Sequence, residues 1–130
     1  MSDIETIEAN LPNGFHDAKL LEVTMKCDRG EVVMTIDADL SDPDASESGE
    51  RAYRRGELHV SGLAFLSMDV PRVLFEPKPL RISSGSGQPS TSPVMLPSIP
   101  DGCFLHWFFV NEWNGFIRVA ARSAEFRWSK

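Results

Sequence analysis

Cys103–Ser129 reads CFLHWFFVNEWNGFIRVAARSAEFRWS and carries all three of the chain's tryptophans. Its β-branched and aromatic residues fit a pleated sheet, and Asn114-Gly115 is a strong hairpin-turn dipeptide. The spacing predicts a strand over Cys103–Val110, a turn over Asn111–Gly115, a strand over Phe116–Ala121 and a last strand over Ala124–Trp128. In the first strand Phe104, Phe108 and Val110 share one face, and Cys103, Leu105, Trp107 and Phe109 share the other. A strand apolar on both faces belongs in the middle of a sheet. The last strand sets Ala124, Phe126 and Trp128 against Glu125 and Arg127, so one of its faces is expected to meet water.

Upstream, Leu11-Pro12-Asn13-Gly14 is turn chemistry, and from Ala18 the pattern has period two. Leu21, Val23, Met25 and Cys27 form its apolar face, opposite Glu22, Thr24 and Lys26. Arg29-Gly30 reverses the chain into Glu31–Leu40, whose apolar face is Val32, Met34, Ile36, Ala38 and Leu40. A two-residue loop would pair Cys27 with Val32, Met25 with Met34, Val23 with Ile36 and Leu21 with Ala38. One residue more would set apolar against polar side chains, so the pattern selects the shorter loop.

Tyr53–Met68 has strand character, with a bulge or close backbone approach expected at Gly62; Leu63–Leu66 fits a strand or one turn of helix, with strand favoured, and Leu80–Ile82 reads as a short strand. Residues 1–10 are expected to fray, and 41–50 and 83–100 read as long exposed loops. About seven strands and no long amphipathic helix predict one all-β domain over residues 1–130, an antiparallel sandwich or flattened barrel.

The net charge of −6 conceals an asymmetry. Residues 1–50 hold thirteen acids and three bases; residues 51–130 hold six acids and ten bases. Without a basic stripe, nucleic acid is not an expected partner, and the acidic first half points to a basic protein partner. No apolar run approaches the ~18–20 residues of a membrane-spanning helix, and the acidic N-terminus lacks a signal-peptide pattern. A cytoplasmic location away from membranes is therefore expected. Cys27 and Cys103 fall in apolar strand patterns, which suits reduced core thiols.

Four polar or aromatic residues are candidates for a site: His16, Asp17, His106 and Trp113. His16-Asp17 lies at the mouth of a strand, where binding and catalytic groups collect. Its structural reading has Asp17 capping turn N–H groups and His16 pairing with a carboxylate. His106 falls on a buried strand face, where a hydrogen-bonded core histidine is the default. Trp113 sits in a turn and is expected to fold back onto the sheet. His16, His59 and His106 lie in no zinc spacing, and Asp37, Asp39, Asp42 and Asp44 lack the EF-hand pattern, so no metal or cofactor is expected. Neither Ser61-Gly62 nor the Ser/Gly run at 83–87 has a nucleophile-elbow or phosphate-loop context.

The segments LPNGFHDA (11–18), AYRRG (52–56) and HWFFVNEWN (106–114) resemble a group of small, uncharacterised bacterial proteins. GFHDA is also loosely similar to immunity-type proteins encoded beside bacterial toxins. The resemblance implies a compact β domain of bacterial origin. Two functions are carried forward: a non-catalytic, immunity-like protein-binding module, and a small metal-dependent or hydrolytic enzyme with its site at His16 and Asp17.

Overall fold

The computed structural model describes residues 3–41, 52–71, 76–88 and 96–129. Six antiparallel strands close into a barrel: β1 (Ala18–Lys26), β2 (Glu31–Asp39), β3 (Tyr53–Met68), β4 (Leu80–Ser86), β5 (Phe104–Val110) and β6 (Gly115–Trp128). Their order around the barrel is β1-β2-β3-β6-β5-β4, and β4 returns to β1. Helix α1 (Asp3–Ala9) precedes them, and one 3-10 turn (Asn111–Trp113) joins β5 to β6.

β3 and β6 are the two long strands, and they pair from Gly56↔Trp128 to Met68↔Ile117. The first half of β3 also carries β2, while the first half of β6 carries β5. The β3–β6 register slips between Leu63 and Phe65, beside the bulge expected at Gly62. Gly62 has φ +65°, and a Cβ there would lie 2.8 Å from that of Arg122, so only glycine fits the bend. Phe116–Ala121 and Ala124–Trp128 are accordingly one strand, not two, and the barrel has six strands rather than about seven. Ala121-Arg122-Ser123-Ala124 contains no Gly, Pro, Asn or Asp to turn the chain, so β6 follows the bend of β3 instead.

β5 lies between β4 and β6, the central position its composition predicts. His106, Phe108 and Val110 point inward and are buried; Leu105, Trp107 and Phe109 form a half-buried outer face. There Trp107 and Phe109 meet the ring of Phe116 edge-on, with centroids 5.6 and 5.0 Å away. Trp107 lies opposite Gly85, whose missing side chain leaves room for the indole. β4 consequently runs through Ser86, beyond the expected Leu80–Ile82, and takes in part of the stretch read as a loop. Residues 42–50 and 89–95 of the two expected loops lie outside the described residues.

The β1–β2 hairpin forms in a different register. Met25 pairs with Val32 and Val23 with Met34, around a four-residue Cys27–Gly30 turn in which Gly30 has φ +61°. A bulge between Leu20 and Glu22 then reverses the faces. Ala18 and Leu20 enter the core, while Leu21 and Met25 are 43% and 48% exposed. Cys27 is exposed in the turn and Cys103 half-buried before β5, so neither is the core thiol expected; both are unpaired.

The N-terminal segment, expected to fray, forms the two-turn helix α1 with Ile4 fully buried. Ile4, Phe15, Leu58, Ile82, Phe108 and Ile117 belong to one core cluster inside the barrel. Phe15 contacts the rings of both Phe108 and Phe126. Phe108→Ala should therefore cost about 3–5 kcal/mol, measured as a lowered urea midpoint at unchanged slope. An unchanged midpoint would remove Phe108 from the core.

Candidate functional site

Helix α1 brings three carboxylates to the barrel, and one of them reaches a buried histidine. Asp3 accepts the Ala124 N–H at 3.0 Å, and Glu5 accepts the hydroxyl of Ser86. Glu8, one turn further on, reaches deepest. Its carboxylate accepts the Ser84 hydroxyl at 2.8 Å and the Phe15 N–H at 3.4 Å, and lies 3.1 Å from His106 Nε2. The histidine approach is off the ring N–H axis, so it is a close charge–dipole or ion-pair contact, not an aligned hydrogen bond. His106 is 1% exposed and lies edge-on to Phe108.

Burial alone would raise the Glu8 carboxyl; His106 and the Ser84 hydroxyl outweigh it and hold the group below its ordinary 4.5. Serine, histidine and carboxylate thus meet, in an order unsuited to nucleophilic catalysis. A triad places histidine between serine and acid, so that the ring takes the hydroxyl proton. Here Glu8 sits between them and accepts the Ser84 hydrogen bond itself. His106 is buried in the core as expected, but neither ring nitrogen makes the hydrogen bond expected of it; Glu8 is its charged neighbour, which sequence spacing did not reveal.

His16 and Asp17 lie elsewhere. Asp17 occupies the left-handed region at φ 59°, and its N–H is donated to the Ile82 carbonyl at 3.0 Å, which leads the chain into β1. The His16 ring is 72% exposed, with Nε2 3.6 Å from the Asp17 carboxylate. Neither joins His106, and among the described residues no group of three or more His, Cys, Asp or Glu is placed to hold a metal ion. His59 lies 3.2 Å from Glu57 on β3. Trp113, in the 3-10 turn, is half-buried and packs against the core. Asp37 pairs with Arg55 at 2.9 Å, and Asp39 accepts the Ser41 N–H.

One feature of the surface was hidden in the sequence. β1 pairs with β4 only through Ala18, Lys19 and Leu20; past the bulge, among the described residues, it pairs with β2 alone. Among the described residues, 21–26 therefore form an open sheet edge, with Leu21, Glu22, Thr24 and Met25 exposed. The Leu20-Leu21 doublet, which breaks strict alternation, is the signal that marks it.

Glu8→Gln should cost about 1–3 kcal/mol near neutral pH by leaving His106 without its carboxylate. A carboxylate held below 4.5 in the fold stabilises fully above that value, and this contribution is lost as pH falls through the folded value. The urea-midpoint gap between wild type and variant should therefore narrow on acidification from about pH 6 to pH 3. A gap that stays constant would show that the carboxylate charge is not what anchors α1.

Comparisons with protein-family models, curated proteins and solved structures return no match to this chain.

Proposed function

We propose that the chain is a non-catalytic protein-binding module that accepts an extended segment of a partner on the open edge of β1. The open edge is the observation that carries this reading. An unpaired strand edge presents free N–H and C=O groups, and strand addition satisfies them while side-chain pockets set selectivity. The edge residues carry a pattern suited to selection. Glu22 and Lys26 lie four apart on one face, with the exposed Thr24 hydroxyl donating to Glu22 at 3.0 Å. Val23 and Met25 occupy the other face, with Val23 packed against the core and Met25 exposed.

All strand pairs in this barrel are antiparallel, and antiparallel addition is the more stable ladder. The complementary segment then has an acidic residue to meet Lys26 and, four positions later, a basic residue to meet Glu22. Apolar residues between them would cover Val23 and Met25. This reading differs from a broad acidic face docking on a basic partner. Among the described acids of the first half, Asp3, Glu5, Glu8, Asp37 and Asp39 are engaged within the fold. An immunity-like role would use the same edge to occupy a toxin's extended segment.

The enzyme reading has less support. The His16 and Asp17 side chains meet each other on an exposed turn, away from the other histidines.

Titration with a peptide of acidic–x–x–x–basic pattern should shift the backbone amide resonances of residues 22–26. A peptide with the two charges exchanged should bind a few-fold more weakly, as one or two cross-strand charge pairs of about 0.2–1 kcal/mol each imply. The double variant Glu22→Lys/Lys26→Glu should reverse that preference. Equal response to both peptides, or shifts confined to other residues, would sink the proposal.

A further inference from the structure

We propose that the hollow between the β1–β2 turn and the bend of β3 and β6 binds a small anion with an apolar tail, a carboxylate or a phosphate monoester. Arg29 and Arg122 would grip its head group. The hollow has a volume of about 310 Å³, and Arg29, Gly30, Leu63, Ala64, Cys103 and Arg122 are among its lining residues. That volume is at the small end of ligand sites, enough for a head group and a short chain.

The two guanidiniums are what distinguish it. Arg55, Arg118 and Arg127 are paired with Asp37, Asp69 and Glu125, and Arg54 lies over the Trp128 ring at 4.6 Å. Among the described residues, the side chains of Arg29, Arg81 and Arg122 have no hydrogen bond or ion pair, and of these Arg29 and Arg122 line the same hollow. A guanidinium presents a planar fork of donors matched to carboxylate and phosphate oxygens. Two arginines lining one hollow, in a chain of net charge −6, would make a local anion site against the global field.

The backbone places them there. Gly30, at φ +61°, carries the chain out of the turn holding Arg29, and its carbonyl accepts the Leu63 N–H at 3.0 Å. This bond ties the turn to the bend. Across the bend, the Arg122 stem lies along Gly62, with its Cγ and Cδ 3.0 and 3.1 Å from where a Cβ would be. Leu63 has already donated its N–H to the Gly30 carbonyl, so it is not a donor to the anion. Leu63, Ala64 and Pro100 supply an apolar lining, which is why the ligand is assigned a short hydrocarbon tail. Cys103 lines the same hollow and offers a direct reporter.

The test uses the full chain carrying Cys27→Ser, so that Cys103 is the single thiol. Hexanoate, hexyl phosphate and hexanol are titrated while the amides of Gly30, Gly62 and Ala64 are followed. Cys103 labelling by a neutral thiol reagent is timed in parallel. Both anions, or one of them, should shift the three amides saturably and slow labelling several-fold; hexanol should do neither at equal concentration. The stronger of the two anions identifies the head group. Arg29→Gln and Arg122→Gln, both at exposed positions, should each weaken binding about tenfold, the loss of one charge-assisted contact of roughly 1.4 kcal/mol. A saturable response to hexanol equal to that of the anions would overturn the proposal. So would no response to any probe, or undiminished binding and protection in both arginine variants.

Discussion

The pairing of β3 with β6 is the constraint on which the rest of the molecule depends. It joins the two long strands from Gly56↔Trp128 to Met68↔Ile117 and turns both at one bend. Each strand then serves as a floor for a different neighbour, β2 on one and β5 on the other. Were the strands straight, the sheet would extend as an open ribbon with two bare edges; bending them brings β4 within reach of β1. The position of Gly62 therefore governs closure as well as local geometry. Leu58 and Val60 on β3 face Phe126 and Ala124 across this pairing and feed the common core.

Charge in the first half is largely structural in the part described. Glu5 and Glu8, three apart on one face of a short helix, attach it to β4, and Asp3 attaches it to β6. A seven-residue helix has too little intrinsic stability to persist alone, so α1 exists because its acids and Ile4 find partners in the barrel. The buried Arg118 plays a comparable part on the outer face, where Asp69 accepts two of its N–H groups at 3.0 Å and Phe116 underlies the guanidinium. Removing one member of such a pair strands the other charge, so these contacts specify one arrangement more than they add stability.

Elements with strict local periodicity were legible in the sequence. β2, β3 and β5 lie where alternation and aromatic content put them, and Gly62 marked its bulge. Three features depended on contacts that local pattern does not encode. Helix α1 is stabilised by residues about 80 to 120 positions away, as Glu8–Ser84 and Asp3–Ala124 show. The β1 register was set by a Cys27–Gly30 turn and a bulge at Leu21, which together keep Ala18 and Leu20 inside. β4 continues through Ser84 and Ser86 because Glu8 and Glu5 accept their hydroxyls, although Ser and Gly resist strand formation by composition. Of the site candidates, the placement of His106 in the core and of Trp113 against the sheet followed from their neighbours in sequence. The gathering of Glu8 with Ser84 and His106 is purely tertiary.

The seam between β1 and β4 spans only three residue pairs, Ala18↔Ile82 to Leu20↔Leu80, whereas the β3–β6 pairing extends along nearly the whole of both strands. A ring fastened so unequally has a latch. Helix α1 is tied by its acids to β4 and β6, and Glu8 also accepts the N–H of Phe15, just ahead of β1. The same edge that offers itself to another strand is thus continuous with the shortest seam of the ring, and a segment added there would lie next to the latch.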